Sequence, residues 1–314
     1  MTSTRRVLVL HLGVIAVLFA LQYLAPPYHH TNLARIMVLA VYAMGFNIAF
    51  GYTGLLSLGH ALFFAAGLYA MGLLVQLEGW SAGAGFLAGV LAGAAVALAV
   101  GLLALRTLGV SFMIVTLMFA QAGYLTILYF NPITRGDEGF VIDRAARVVG
   151  PLDLSADTPR YFVALAIFAA ALLANLALVR SPIGRVMVAM RENEARSRML
   201  GYDPFRIKLL ALVVSGLYAG AAGASYGLLF GYVGASFATI QYSILPLLYV
   251  LLGGAGTVLG PFLGALVMFY MIDFASDLTS AHLLVVGVAL IALILFAPKG
   301  ILGAVRQRWV KWLP

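Results

Sequence analysis

The chain has 314 residues, 63% of them hydrophobic and 10% charged, with a formal charge of +8 and no cysteine. A soluble chain of this length puts far more polar residues on its surface, and without cysteine neither disulfides nor thiolate metal sites can form. The basic balance would fit a nucleic-acid partner, but the positive charges are distributed as in a membrane protein, so nucleic acid is excluded.

Apolar runs of about 20 residues, the length needed to cross hydrocarbon, recur from end to end. Arg5 and Arg6 precede the first, Val7–Ala25. Its length, and Pro26-Pro27 in place of a small-x-small cleavage site, read as a retained helix rather than a signal peptide. Further spans are expected near 33–50, 55–77, 82–105, 109–130, 160–179, 206–230, 235–252, 257–272 and 281–297, giving ten. The two longest polar stretches, Asn131–Pro159 and Arg180–Lys208, lie between spans and leave no room for a soluble domain. The expectation is an all-α polytopic membrane protein with one domain over 1–314. Its first repeat covers about 7–130, its external loop 131–159 and its second repeat about 160–297.

The distribution of Lys and Arg orients it. With the N-terminus inside, cytoplasmic segments hold Arg5, Arg6, Arg106, the seven basic residues from Arg180 to Lys208, Lys299, Arg306, Arg308 and Lys311, fourteen of the nineteen. Arg35, Arg135, Arg144, Arg147 and Arg160 fall outside, with eight of the eleven acids. The positive-inside rule therefore predicts that both termini are cytoplasmic. Trp309 and Trp312, alternating with Arg308 and Lys311, read as anchors at the inner interface.

Two short runs match across the halves, Phe50-Gly51-Tyr52-Thr53-Gly54 and Phe230-Gly231-Tyr232-Val233-Gly234. By span parity one faces the cytoplasm and the other the outside, the signature of a five-plus-five inverted repeat. Gly216, Gly220, Gly223, Gly227, Gly231 and Gly234 recur at helical spacing, and Gly85, Gly89 and Gly93 make a shorter seam. Small residues so spaced let helix backbones approach closely, so packing is the first reading and a substrate path the second.

The segment Pro182–Leu200 reads as a cytoplasmic helix. Ser181 and Pro182 open it, Gly201 closes it, and Asp203-Pro204 opens the next. Ile183, Val186, Met187 and Met190 fall at i, i+3, i+4 and i+7. Glu192–Arg196 and Glu194–Arg198 are i,i+4 pairs in the favourable order. Two readings stay open: a helix lying on the inner leaflet, or one inserted in a partner's groove. Acids among the arginines suit a protein partner.

The stretch Gly51–Phe64 (GYTGLLSLGHALFF) resembles the hallmark of branched-chain amino acid ABC importer permeases. Arg191-Glu192-Asn193-Glu194 with Gly201 is similar to that family's coupling segment, and Gly253–Pro261 and Phe296–Gly300 to its C-terminal half. The resemblance implies an M-type permease subunit in a bacterial plasma (inner) membrane, in contact with lipid. Its implied partners are a homologous H-type permease, two cytoplasmic ATP-binding subunits and an extracytoplasmic solute-binding protein. Gly184, Arg191, Glu192, Asn193, Glu194 and Gly201 carry over to coupling by position, and Arg185 and Arg198 are coupling candidates beside them. The loop 134–140 resembles a Thr-Gly-Gly-x-Asp-Gly-Leu motif with Arg135 and Glu138 substituted, and Leu55 stands where the family has glutamine. Arg135, Asp137 and Glu138 become candidate contacts for the binding protein. The departures leave urea, short amides and small aromatic acids open as substrates beside branched-chain amino acids.

No G-x-x-x-x-G-K-[ST] pattern occurs, so ATP and Mg²⁺ are expected to be used by another chain, with no cofactor bound by this one and no catalytic or metal site. No Asp, Glu, Lys or Arg is expected deep in a span, which argues against ion-coupled transport and against a membrane hydrolase. His60, with Asn47, Ser57, Thr116, Gln121 and Gln241, is a candidate for edging a polar path; the alternative is hydrogen bonding between helices. A path without fixed charge would suit a neutral or zwitterionic solute. An ATP-independent channel for a small neutral solute is the competing function.

Overall fold

A computed structural model describes residues 3–150, 152–278, 281, 284, 287–288, 290–291, 295 and 299–308. The helices are α1 (Ser3–Leu24), α2 (Pro27–Asn47), α3 (His60–Gln76), α4 (Ala82–Ala104), α5 (Val110–Tyr129), the single turn α6 (Asn131–Thr134), α7 (Asp157–Arg180), α8 (Pro182–Glu192), α9 (Glu194–Met199), α10 (Pro204–Phe230), α11 (Ile240–Gly253), α12 (Gly260–Leu278) and α13 (Gly300–Arg308). Among the described residues, six segments are long and apolar enough to cross a membrane: Arg5–Leu24, Tyr28–Tyr52, Ala82–Ala104, Val110–Tyr129, Asp157–Arg180 and Pro204–Phe230. α3 and α11 are apolar but shorter. The protein is a multi-pass membrane protein.

The core forms around α2, whose apolar stretch is 89% buried, against α7, α10, α11 and α12. α3, α4 and α10 pack backbone to backbone. A Cβ on Gly67 would lie 2.3 Å from the Gly220 carbonyl, one on Gly93 2.6 Å from that of Gly216, and one on Gly220 2.7 Å from that of Gly89. The glycine seam thus serves close helix approach. It ends with α10: Gly231 is the left-handed cap and Gly234 is extended, so these two do not continue the helical face. Leu12, Val17, Leu87, Leu91, Met118 and Leu125 leave α1, α4 and α5 with exposed apolar faces, the surface that lipid covers.

The structure departs from the expected spans where backbone leaves the helix inside the bundle. Residues 55–77 were expected to be one span, but α2 runs through a π-turn (Ile48–Tyr52) into non-helical chain, and α3 starts only at His60. The expected span 235–252 likewise opens with a strand (β4, Tyr232–Val233) and a 3-10 turn (Ala235–Ala238) before α11. α2 begins at Pro27, ahead of the expected start near residue 33, so Arg35 lies two turns inside a helix. Among the described residues, four two-residue strands qualify the all-α expectation: β1 (Phe140–Val141) pairs with β4, and β2 (Val148–Val149) with β3 (Leu152–Asp153). The expected span 281–297 and the Trp309/Trp312 anchor lie largely or wholly outside the described residues.

Candidate functional site

The segment after α7 is two helices, not one. Ser181 Oγ accepts from the Gly184 amide at 3.1 Å, and Pro182 fills the first turn. Gly184 fits an elbow where a Cβ would lie 2.3 Å from the Leu178 carbonyl. α8 buries Met187 and Met190, leaves Val186 half-buried and exposes Ile183, so the expected apolar strip is narrower than its spacing. Met187 packs against Ile48, Tyr52 and Ala211.

At Asn193 the backbone becomes extended (φ −157°, ψ 98°), and its side chain accepts from the Arg196 amide at 2.9 Å. Asn193 thereby caps α9. The single helix Pro182–Leu200 is corrected accordingly. The expected Glu192–Arg196 pair falls across the break and does not form among the described residues. Glu194 does reach Arg198 at 3.5 Å, and it takes the Lys208 ammonium at 2.5 Å. That pins α9 to α10. Gly201, at φ +89°, ends the segment. Arg185, Arg191, Glu192, Asn193 and Arg198 are exposed.

Arg191 ties this segment to the break after α2. Its Nη1 donates to the Gly51 carbonyl, and its stem lies against Gly54. Asn47, fully buried, donates from Nδ2 to the Thr257 carbonyl and accepts the Gly256 amide at Oδ1, both at 2.9 Å. A Cβ on Gly51 would fall 1.9 Å from Asn47 Oδ1. The stretches 51–54, 191 and 254–257, far apart in sequence, thus form one junction. Beside it a cleft of about 500 Å³ opens between Thr53–Leu56, the α4–α5 turn and Met190, Arg191, Glu194 and Lys208.

Above the junction, the irregular chain before α3 is buried and needs donors and acceptors from elsewhere. Thr116 Oγ1 accepts from the Leu58 amide (3.2 Å), Ser57 Oγ from that of Gly59 (3.2 Å) and Ser243 Oγ from that of Ala61 (3.0 Å). His60 Nε2 pairs with Ser215 Oγ at 2.6 Å, about 16 Å into α10 at 1.5 Å per residue. Asn47, Ser57, His60 and Thr116 are therefore fully buried with protein partners. Gln121 is half-buried and Gln241 exposed, and the described hydrogen bonds do not use either side chain. Ser215 and Ser243 complete this network, and sequence reasoning missed both. Their only signal was a hydroxyl within an apolar helix.

At the other end, Arg135 takes a left-handed conformation (φ 59°), and Arg135, Asp137 and Glu138 all stand exposed. The loop carrying them is fixed to the end of α10. β1 pairs with β4, the Ile142 amide donates to the Gly231 carbonyl (2.8 Å), and Tyr232 OH donates to the Glu138 carbonyl (3.2 Å). On the same loop, the Ser155 amide donates to Asp153 and holds its carboxyl below the usual range.

Residues 30–297 match the family described as branched-chain amino acid transport system / permease component. The chain belongs to that family. It is 30% identical to the high-affinity branched-chain amino acid transport system permease protein LivM of Salmonella typhimurium, with 87% of this chain and 69% of that one covered. The LivM of Escherichia coli gives the same identity and coverage. A shorter stretch, 28% of this chain and 27% of the relative, is 36% identical to the autoinducer 2 import system permease protein LsrC of Klebsiella pneumoniae. No solved structure matches. Family membership makes the chain a transporter subunit rather than an enzyme and places it as a multi-pass protein of the inner membrane.

Proposed function

We propose that this chain is a permease subunit of an ATP-driven importer and forms half of the translocation path for a branched-chain amino acid or a related small zwitterionic solute. Its implied companions are an H-type permease, two ATP-binding subunits that use ATP and Mg²⁺, and an extracytoplasmic solute-binding protein; the chain itself binds no cofactor. Ten spans, cytoplasmic termini, a single domain and a five-plus-five inverted repeat belong to this reading. Two facts support the repeat. Phe50–Gly54 lies against Arg191 of the cytoplasmic segment, whereas Phe230–Gly234 lies against the opposite loop. In addition, each run follows a long helix and leads through irregular chain into a short one.

The observation that carries the proposal is the Arg191 junction. An exposed, charged segment hydrogen-bonds directly to the break between α2 and α3. A partner that moved α8–α9 would move the irregular chain with it, together with the 254–257 loop held through Asn47. Broken helices of this kind border solute sites in transporters. The test is co-purification with ATP-binding subunits. A stable complex that is lost on Glu192→Lys with Glu194→Lys supports the importer, and solute flux through the chain alone in ATP-free liposomes overturns it.

A further inference from the structure

Three guanidinium groups converge on the loop-side end of α10, and among the described residues only Arg160 has a paired acid. Arg35 of α2 lies 5.1 Å from the centre of the Phe230 ring, and Arg160 of α7 lies 6.0 Å from the same centre. Arg147, buried in the loop, packs on the neighbouring Gly231, where a Cβ would meet its Nη1 at 2.7 Å. The Nε atoms of all three are buried without a partner. Arg160 is otherwise satisfied, by Asp157 at 3.1 Å and the Ser155 carbonyl at 2.5 Å. Arg35 and Arg147 have side chains that form neither an ion pair nor a hydrogen bond among the described residues. Burial lowers the Arg147 pKa, repulsion from Arg160 and Arg144 lowers it further, and attraction to Asp153 only partly opposes them. Like charges held together in a partly desolvated place are costly unless an anion joins them. Beneath them lies a contiguous aromatic cluster: Tyr226 packs 4.7 Å from Phe230 and 4.9 Å from Phe237, and Phe237 lies 5.1 Å from Tyr242.

We propose that Arg35, backed by Arg147, receives the carboxylate of the solute at this end of the bundle, with the aromatic cluster below it taking the apolar side chain. Planar guanidinium forks match carboxylate geometry, and the cation–π contact with Phe230 holds the Arg35 fork in place while its hydrogen-bonding capacity stays free. The site selects carboxylate-bearing solutes over urea and amides. It rests on the importer reading, whose own failure would show as absence of ATP-driven uptake.

The test separates the two. Isovalerate and isovaleramide, which differ by the carboxylate, are titrated against the assembled complex in nanodiscs, and binding is followed by thermal shift. Isovalerate alone is expected to bind. Arg35→Gln is expected to weaken it by about tenfold or more, the effect of losing a charge-assisted bond, while Arg35→Lys, which keeps the charge but not the planar fork, retains only part of the affinity. Arg147→Gln gives a second measure should Arg35→Gln fail to assemble. Equal binding of the two probes, or unchanged isovalerate affinity in both glutamine variants, overturns the site. So does stabilisation that follows phosphatidylglycerol in the nanodisc instead of isovalerate, which would make lipid phosphate the anion.

Discussion

Asn47→Leu isolates the junction that joins α2 to the 254–257 loop. The replacement keeps the branched four-atom skeleton of the side chain and raises helix propensity, so neither a cavity nor a propensity loss is introduced. What it removes is both hydrogen bonds of a fully buried amide, each 2.9 Å long. The Thr257 carbonyl and the Gly256 amide are left without these partners, and such groups cost about 1–3 kcal/mol each when buried. Thr257 is buried and Gly256 only half so, which places the expected loss at about 2–4 kcal/mol. Equilibrium unfolding in mixed micelles measures it, and hydrogen exchange at the Gly256 amide reports the local opening. Unchanged stability with unchanged protection at Gly256 would refute the reasoning.

Other expectations follow from the same geometry. Gly220→Val drives a side chain into the Gly89 carbonyl and should cost upward of about 3 kcal/mol, since a helix backbone cannot yield as a side chain does. Gly13→Val, with nothing within 4 Å, is the matched control and should leave unfolding unchanged. Arg191→Ala removes a part-buried, charge-assisted bond to the Gly51 carbonyl and should cost about 1.5–3 kcal/mol while lowering solute moved per ATP hydrolysed; full coupling would remove Arg191 from the transmission. His60→Ala should reduce ATP-driven uptake without loss of assembly, through the chain that Ser215, Thr116 and Ser243 hold in place, and unchanged uptake would leave His60 a packing residue alone.

Helix existence and order were legible because hydrocarbon-length apolar runs and the Ser181-Pro182 and Asp203-Pro204 caps are local signals. The breaks were not. Leu55, Leu56 and Leu58 keep the apolar run unbroken across residues 53–59, and the groups that satisfy that backbone come from 58 and 182 positions away in Thr116 and Ser243. Hydropathy cannot register a hydrogen bond made at that distance. The break at Asn193 was locally written, since an Asn that caps its own successor competes with helix continuation, yet the i,i+4 charge spacing favoured one helix. The site followed the same division. Arg191 and Asn47 were picked out, but their junction with Gly51 and Gly256 exists only in three dimensions. The Arg35–Arg147 convergence escaped notice because the two residues are merely loop-side charges in a count.

The most direct measurement is solute uptake into proteoliposomes holding this chain with its companion permease, with and without the ATP-binding subunits, at saturating binding protein. The account predicts accumulation of a branched-chain amino acid or related zwitterion only when the ATP-binding subunits and ATP are present, and its loss when α8–α9 is altered at Glu192 and Glu194. Equal flux without the ATP-binding subunits would contradict it.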